Sequence, residues 1–328
     1  MGTRAPFVLA LFAAAMTCAS TPACTETWPV RPVKIILPLP AGLGTDVAAR
    51  LFAEKLSVRW GQPVMVENRP GADGIVGVTS FVNAHDDHTL LFSFAGPITI
   101  NPLIHDKLPY DPVRDLVPIA TAIDNFFAIA VSTPTGVRTL QSFIEAARAR
   151  PDKFNWAATP GLPQFIFLAL QKGTGLALTQ VPYRDFTPAV QDLAENRIQV
   201  MVTSPAQLMP ATESGKTRLL MVTNRQRSPI APEVPTAEEA GFPELTFEGV
   251  VGFFGTRDLP VARRDRIARD VAAVAESPDV GLRLRTLGIA VRVGGSAQFS
   301  AAIEEQRAKV REIVSTEKPP ADGPPEAR

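Results

Sequence analysis

The chain has 328 residues, 45% of them hydrophobic, and its 33 Lys+Arg are balanced by 33 Asp+Glu. That composition excludes disordered, fibrous and coiled-coil classes, and zero net charge argues against a nucleic-acid partner, whose phosphates demand a basic surface. Three histidines and two cysteines leave little material for a metal centre or a histidine-based catalytic site; at about 100–200 residues per domain, two domains are expected.

In chain order, Arg4, an apolar run from Phe7 to Met16 and small residues from Thr17 to Ala23 form the pattern of a secretory signal peptide over residues 1–23. The run is about half the roughly 20 apolar residues that a membrane span requires. A buried N-terminal helix is the alternative reading. Cys18 and Cys24 both lie at this junction, so the globular part is expected to lack a disulfide. Lipid attachment to a cysteine is the functional alternative, although neither has a leucine three residues before it.

Val33–Leu37 is an apolar, β-branched run that predicts a strand. A helix is expected over 46–60, a strand over 64–67, a glycine-rich turn over 71–74, a helix to about 83 and a strand over 89–94. Strand, helix, strand, helix, strand with short connections predicts a doubly wound parallel sheet. The alternation restarts after Pro118, with strands near 126–131, 154–156, 179–181, 200–203 and 219–222 and helices over 140–149, 163–171, 188–195 and 205–214. Thr236 and Glu239 have the spacing of a capping box and predict a short helix. An apolar stretch over 245–254, two helices, a strand over 290–293 and a long helix from Ser296 complete the fold. Residues 317–328, with four prolines and no large apolar side chain, read as a disordered tail.

No catalytic constellation emerges. His85 and His88 are spaced as at most a weak surface ligand pair and read as a solvated turn. The segment Gly42–Val47 has the outline of a dinucleotide fingerprint, but Val47 takes the third glycine's place and no Lys-Ser/Thr follows. No metal, cofactor or catalytic residue is expected. What remains is two glycine-rich loops, Pro40–Thr45 and Asn68–Gly74, each running from a strand into a helix. Glycine lets backbone N–H groups approach a ligand, and a helix start offers unpaired donors at its positive end. The ligand favoured there is a small anion.

Trp28-Pro29-Val30-Arg31-Pro32-Val33-Lys34-Ile35-Ile36, followed by Pro40-Ala41-Gly42-Leu43-Gly44-Thr45-Asp46, resembles the opening of the mature Bug family. These are the extracytoplasmic solute receptors of tripartite tricarboxylate transporters. Gly61-Gln62-Pro63-Val64, Glu67 to Ala72, Lys107 to Pro112, Val181 to Arg184 and Val234-Pro235-Thr236 continue the similarity in the family's order, over about residues 28–314.

The resemblance implies an α/β, two-lobed periplasmic-binding-protein-like fold of type II. Its two doubly wound domains would be joined by crossover strands near 119–124 and 245–251. Lobe 1 would comprise 28–123 and 249–316, and lobe 2, inserted, 124–248. It also implies a monomeric, non-enzymatic periplasmic protein that closes on a small carboxylate and delivers it to transporter membrane subunits. The alternative is presentation of the ligand to a membrane sensor kinase. Carried over by motif, the ligand-binding positions are Gly42, Leu43, Gly44, Thr45, Ala72, Gly74, Ser93 and Ala95 in the first lobe, with Thr159, Gly161, Tyr183 and Thr203 in the second. Asp73 and Asp185 stand where the family usually has glycine, Thr203 where aspartate is common and Val250 where tryptophan is frequent. Asp73 is expected to serve as a helix N-cap pointing away from the ligand; the alternative is an altered ligand, less polyanionic or carrying a donor that pairs with Asp73 or Asp185.

Overall fold

The computed structural model describes residues 28–183 and 185–315, together with Gly2. The signal-peptide reading, both cysteines, Arg184 and the tail at 317–328 lie outside the described residues. The chain opens with β1 (Val33–Leu37), α1 (Gly44–Trp60), β2 (Val64–Asn68), α2 (Ile75–Val82) and β3 (Thr89–Phe94). Three single-turn helices, α3 (Gly96–Thr99), α4 (Asn101–Ile104) and α5 (Pro112–Asp115), lead to β4 (Leu116–Asn125). Then come β5 (Ala128–Ser132), α6 (Leu140–Ala149), β6 (Asn155–Ala158), α7 (Leu162–Thr174) and β7 (Thr179–Gln180). They are followed by α8 (Phe186–Ala194), β8 (Val200–Thr203), α9 (Pro205–Glu213) and β9 (Thr217–Val222). The chain returns through β10 (Gly249–Thr256), α10 (Val261–Ala275), α11 (Pro278–Arg285), β11 (Ile289–Gly295) and α12 (Ser296–Val314).

Two sheets result, ordered β11-β4-β10-β3-β1-β2 and β7-β6-β8-β5-β9. Strands β1 to β3 are parallel, as the alternation predicts, but β10, β4 and β11 join antiparallel. The second sheet repeats the scheme, with β6, β7 and β8 parallel and β5 and β9 antiparallel. Each sheet is therefore mixed. The parallel part comes from helix-linked crossovers, whereas the antiparallel strands carry the chain between the sheets.

Register fixes where the loops point. Phe94 and Ile123 both pair with Val251, and Ile123 also pairs with Val291. The C-terminal ends of β1, β2, β3 and β4 thus share one edge of the first sheet. In the second, Ala128 pairs with Thr203 and with Val222, so β5 starts where β6, β8 and β9 end. Only Phe126 and Phe127 separate Asn125 from Ala128. The two loop-bearing edges consequently face one another.

Phe52 of α1, Phe92 of β3 and Phe253 of β10 meet with ring centroids 4.8–6.3 Å apart on one face of the first sheet. Phe254 and Phe299 pack at 4.7 Å on the other. In the second lobe Trp156 stacks on Phe167 at 4.3 Å. Helix α12 serves both cores. Its Phe299 and Ile303 pack on the first sheet, while Val310 and Ile313 pack with the second.

Two local expectations need correction. Thr236 and Glu239 do make the reciprocal capping bonds, at 2.9 and 3.2 Å. They close a single turn rather than open a helix, because Gly241 takes φ +86 and Pro243 follows. The solvated-turn reading suits His85 but not His88, which is 4% exposed. His88 Nε2 accepts the Val30 N–H at 3.2 Å, which puts the ring proton on Nδ1, 2.7 Å from Asp87 Oδ1. Its ring lies 5.7 Å from that of Trp28, which in turn packs edge-on against Trp60 at 5.0 Å. His88 thus latches the segment before β1. His88→Ala should cost about 1–3 kcal/mol in urea unfolding, by loss of packing and of a hydrogen-bond acceptor. His85→Ala should stay within about 0.5 kcal/mol; equal effects would remove the latch.

Candidate ligand-binding site

Strand β1 ends at Leu37, and the loop to α1 turns at Gly42, whose φ of +89 suits glycine. The Gly42 N–H donates to Asp46 Oδ2 at 3.0 Å, so this donor is engaged within the loop. Buried Asp46 also accepts Asn68 Nδ2 at 2.8 Å and Arg50 Nε at 3.1 Å. Burial works to raise its carboxyl, but Arg50, the Gly42 N–H and Asn68 together hold it below the ordinary carboxylate range. Gly44 has a different reason for being glycine, since a Cβ there would lie 3.0 Å from Ile289 Cδ1. Leu43 precedes α1 without a side-chain cap. Thr45 is 6% exposed, and its Oγ1 accepts Asn125 Nδ2 at 3.2 Å.

In the second loop Gly71, Ala72, Asp73 and Gly74 all have positive φ, at +129, +46, +49 and +88. Asp73 is exposed and lies inside this turn, and α2 starts only after Gly74. The expected N-cap role of Asp73 is therefore absent. Asp185 is the cap instead, with its Oδ1 accepting Thr187 N–H at 3.3 Å at the start of α8. A Cβ on Gly74 would sit 2.7 Å from Pro97 Cγ, so this turn packs on the segment after β3. There Ser93 is fully buried and donates to the Phe94 carbonyl at 2.9 Å, Ala95 is buried, and the Ala95 carbonyl accepts Thr99 Oγ1 at 2.9 Å.

Facing them in the second lobe, Thr159 N–H donates to Val202 O at 3.4 Å and Gly161 turns at φ +87 before α7. Tyr183 donates its hydroxyl to Asp192 at 2.5 Å, and Asp192 also holds Arg197 at 2.7 Å. Burial and the Asp192 carboxylate push the Tyr183 phenol up to about 12. Buried Thr203 gives its hydroxyl to Gln207. Four helices, α1, α2, α7 and α9, thus begin at the facing edges after Leu43, Gly74, Gly161 and Ser204, none with a side-chain cap. The turn at Gly288–Ile289 wedges between two of them. Ile289 meets Gly44, and a Cβ on Gly288 would lie 3.7 Å from Ala206 Cβ in α9.

The floor between the lobes carries residues that no sequence motif marks. Gly249 approaches Asn125 so closely that a Cβ would be 2.4 Å from its carbonyl oxygen. Thr223 N–H donates to Phe127 O, and Phe247 N–H to Thr223 O, both at 2.9 Å. Thr223 and its neighbours thereby stitch the two crossovers together. A bulge between Val291 and Gly294 in β11 aims Arg292 at Asp124 (3.0 Å) and Glu248 (2.6 Å). The available signal was a charged residue, Asp124, next to the end of the largely apolar run of β4. Elsewhere, Asp86, Asp87 and His88 bring ligand-type atoms within 4.8 Å of one another. Arg31 and Thr89 engage Asp86, and Arg263 and His88 engage Asp87, so the group is an ion-paired cluster.

Residues 48–318 match the family model described as the tripartite tricarboxylate transporter family receptor. A UPF0065 protein from the tcbD-tcbE intergenic region of Pseudomonas sp. strain P51 is 34% identical, over 90% of this chain and 88% of that one. BugT of Bordetella pertussis is 32% identical over 74% of this chain and 76% of its own. Among solved structures, MatC of Rhodopseudomonas palustris with bound malate is 27% identical with a TM-score of 0.73, covering 88% of this chain and 100% of that one. Rpa4515 of R. palustris with adipate is 26% identical with a TM-score of 0.76, covering 88% and 98%.

The charged floor has a pH signature. Burial raises the Asp124 carboxyl to about 6, with Arg292 opposing and the neighbouring Glu248 charge adding to the rise. The folded state then binds more protons than the unfolded chain between about pH 4 and 6, so this group's contribution falls as pH rises through that window. Relative to wild type, Asp124→Asn should gain stability from pH 4 to pH 7 in urea unfolding. A difference independent of pH would refute the assignment.

Proposed function

Because the chain belongs to the tripartite tricarboxylate transporter receptor family, the Bug family of periplasmic solute-binding proteins, we propose that it captures a small carboxylate-bearing metabolite between its lobes. It then delivers that metabolite to the membrane subunits of a transporter of this type. The observation that carries this reading is the convergence of the uncapped starts of α1, α7 and α9 on the facing edges, beside the left-handed turn that leads into α2. Helix starts present backbone donors and the positive end of the dipole, which suit an acceptor-only anion. Malate and adipate, held by the two solved relatives, are both dicarboxylates. Export by a signal peptide to the periplasm is part of the same proposal.

In this reading residues 28–123 and 249–316 form lobe 1, and 124–248 form lobe 2. The backbone at Leu43–Thr45 and Ala72, with Ala95 beside it, holds one carboxylate, while the Gly74 N–H is spent on the Gly71 carbonyl at 3.0 Å and shapes the turn. Gly42 and Ser93 shape these loops with their own polar groups turned inward. Thr159, Gly161, Tyr183 and Thr203 close over the remainder, and the stitched crossovers act as the hinge.

Native mass spectrometry of the protein as isolated should reveal a bound carboxylic acid. Small-angle scattering with saturating ligand should show a smaller radius of gyration. A retained solute without a carboxylate would overturn the substrate class; an unchanged radius at saturation would overturn the clamp. The two unusual aspartates should also separate. Asp73→Gly relieves a positive-φ position and removes a charge beside the proposed nest. It should leave stability intact and strengthen dicarboxylate binding, less so at high salt. Asp185→Ala removes a real cap and should cost about 0.5–2 kcal/mol of stability with ligand choice unchanged. Calorimetry and urea unfolding of both variants check this.

A further inference from the structure

Asn125 is the last residue of β4, paired with Gly249 on one side and Ile289 on the other. Its Nδ2 donates to Thr45 Oγ1 at 3.2 Å. Its carbonyl accepts Asn224 Nδ2 at 3.0 Å, and Asn224 is itself only 3% exposed. Anchored by Asn224, just past β9, and hemmed in by Gly249, Asn125 has a fixed backbone from which to present its amide to α1.

We propose that Asn125 is a positioning residue for the ligand: by occupying a lone pair of Thr45 Oγ1, it leaves that hydroxyl's proton to be donated to the ligand's carboxylate. The inference rests on the reading that a carboxylate sits at the start of α1. A hydroxyl has one proton and two acceptor sites, whereas an ionised carboxylate only accepts. Once Thr45 Oγ1 accepts from Asn125, the proton must point elsewhere, and a hydroxyl that already accepts is polarised into a better donor. The amide suits this task among the long polar side chains. Lysine or arginine would compete with Thr45 for the carboxylate itself, and aspartate would draw the proton to itself. Asn125 also precedes the two-residue passage into the second sheet, so the contact that orients Thr45 is made from the proposed hinge.

The test is a double-mutant cycle by titration calorimetry, with malate and adipate as probes, on Thr45→Val, Asn125→Ala and the pair. Thr45→Val should weaken binding roughly tenfold or more, the range of a hydrogen bond to a charged group. Asn125→Ala should weaken it several-fold in the wild-type background and leave it unchanged in the Thr45→Val background. A merely structural residue would cost the same factor in both, so losses that multiply overturn the inference. Asn125→Asp, which keeps the shape and can only accept, should bind at least as weakly as Asn125→Ala; wild-type affinity in either variant also overturns it. If Asn125→Ala does not fold, Asn125→Leu replaces it in the cycle. Failure of wild type to bind any carboxylate, including one carried from the cell, would fell the functional reading and this inference together. Wild-type binding with multiplying losses would fell the inference alone.

Discussion

Phe126 and Phe127 are all that separates the last residue of one sheet from the first of the next, and that short passage constrains everything around it. A connection of two residues cannot carry the chain far, so the edge reached by β4 lies close to the edge from which β5 departs. Every loop that follows a parallel strand in either lobe opens at that confrontation. The return path at Phe247–Gly249 is bound to the outward one through Thr223, at 2.9 Å on each side. This stitched pair, with α12 packed on both cores, fixes how the two sheets are aligned.

The chemistry at the confronted edges is chiefly that of neutral donors, because the carboxylates nearby are tied down. Asp46 is held by Arg50, Asn68 and the Gly42 N–H, Asp192 by Arg197 and Tyr183, and Asp185 by the start of α8. Asp124 and Glu248 share Arg292 beneath. Backbone N–H groups at helix starts supply positive potential without long side chains that must be ordered on binding. Asp73 is the departure from this pattern, exposed on a turn whose left-handed backbone favours glycine.

Much of this was legible in the residues. The apolar, β-branched runs marked Val33–Leu37 and Thr89–Phe94, and the switch to helical spacing marked Ser296. Glycines between strands and helices located both first-lobe loops. Local pattern could not reveal pairings between distant segments. The mixed character of each sheet, and the meeting of Arg292 with Asp124, join residues 168 apart in sequence. Nor could it separate His88 from His85, since a buried and an exposed histidine look alike until the segment of Trp28 is placed over one of them. The two aspartates show how finely cap assignment depends on a boundary. Asp185 directly precedes its helix, whereas an extra left-handed turn carries the start of α2 past Asp73.

The order in which the chain can become structured follows from the strand succession. The second sheet draws all its strands from one uninterrupted stretch, 128–222, and can close as soon as that stretch exists. The first sheet cannot, because β4 lies between β10 and β11, which arrive last. Bringing those ends together across a flexible insert would carry the loop-closure entropy of a long chain segment. Once the inserted sheet is folded, its stitched base presents Asn125 and Gly249 side by side, so the insert becomes a rigid template on which the interrupted sheet is completed.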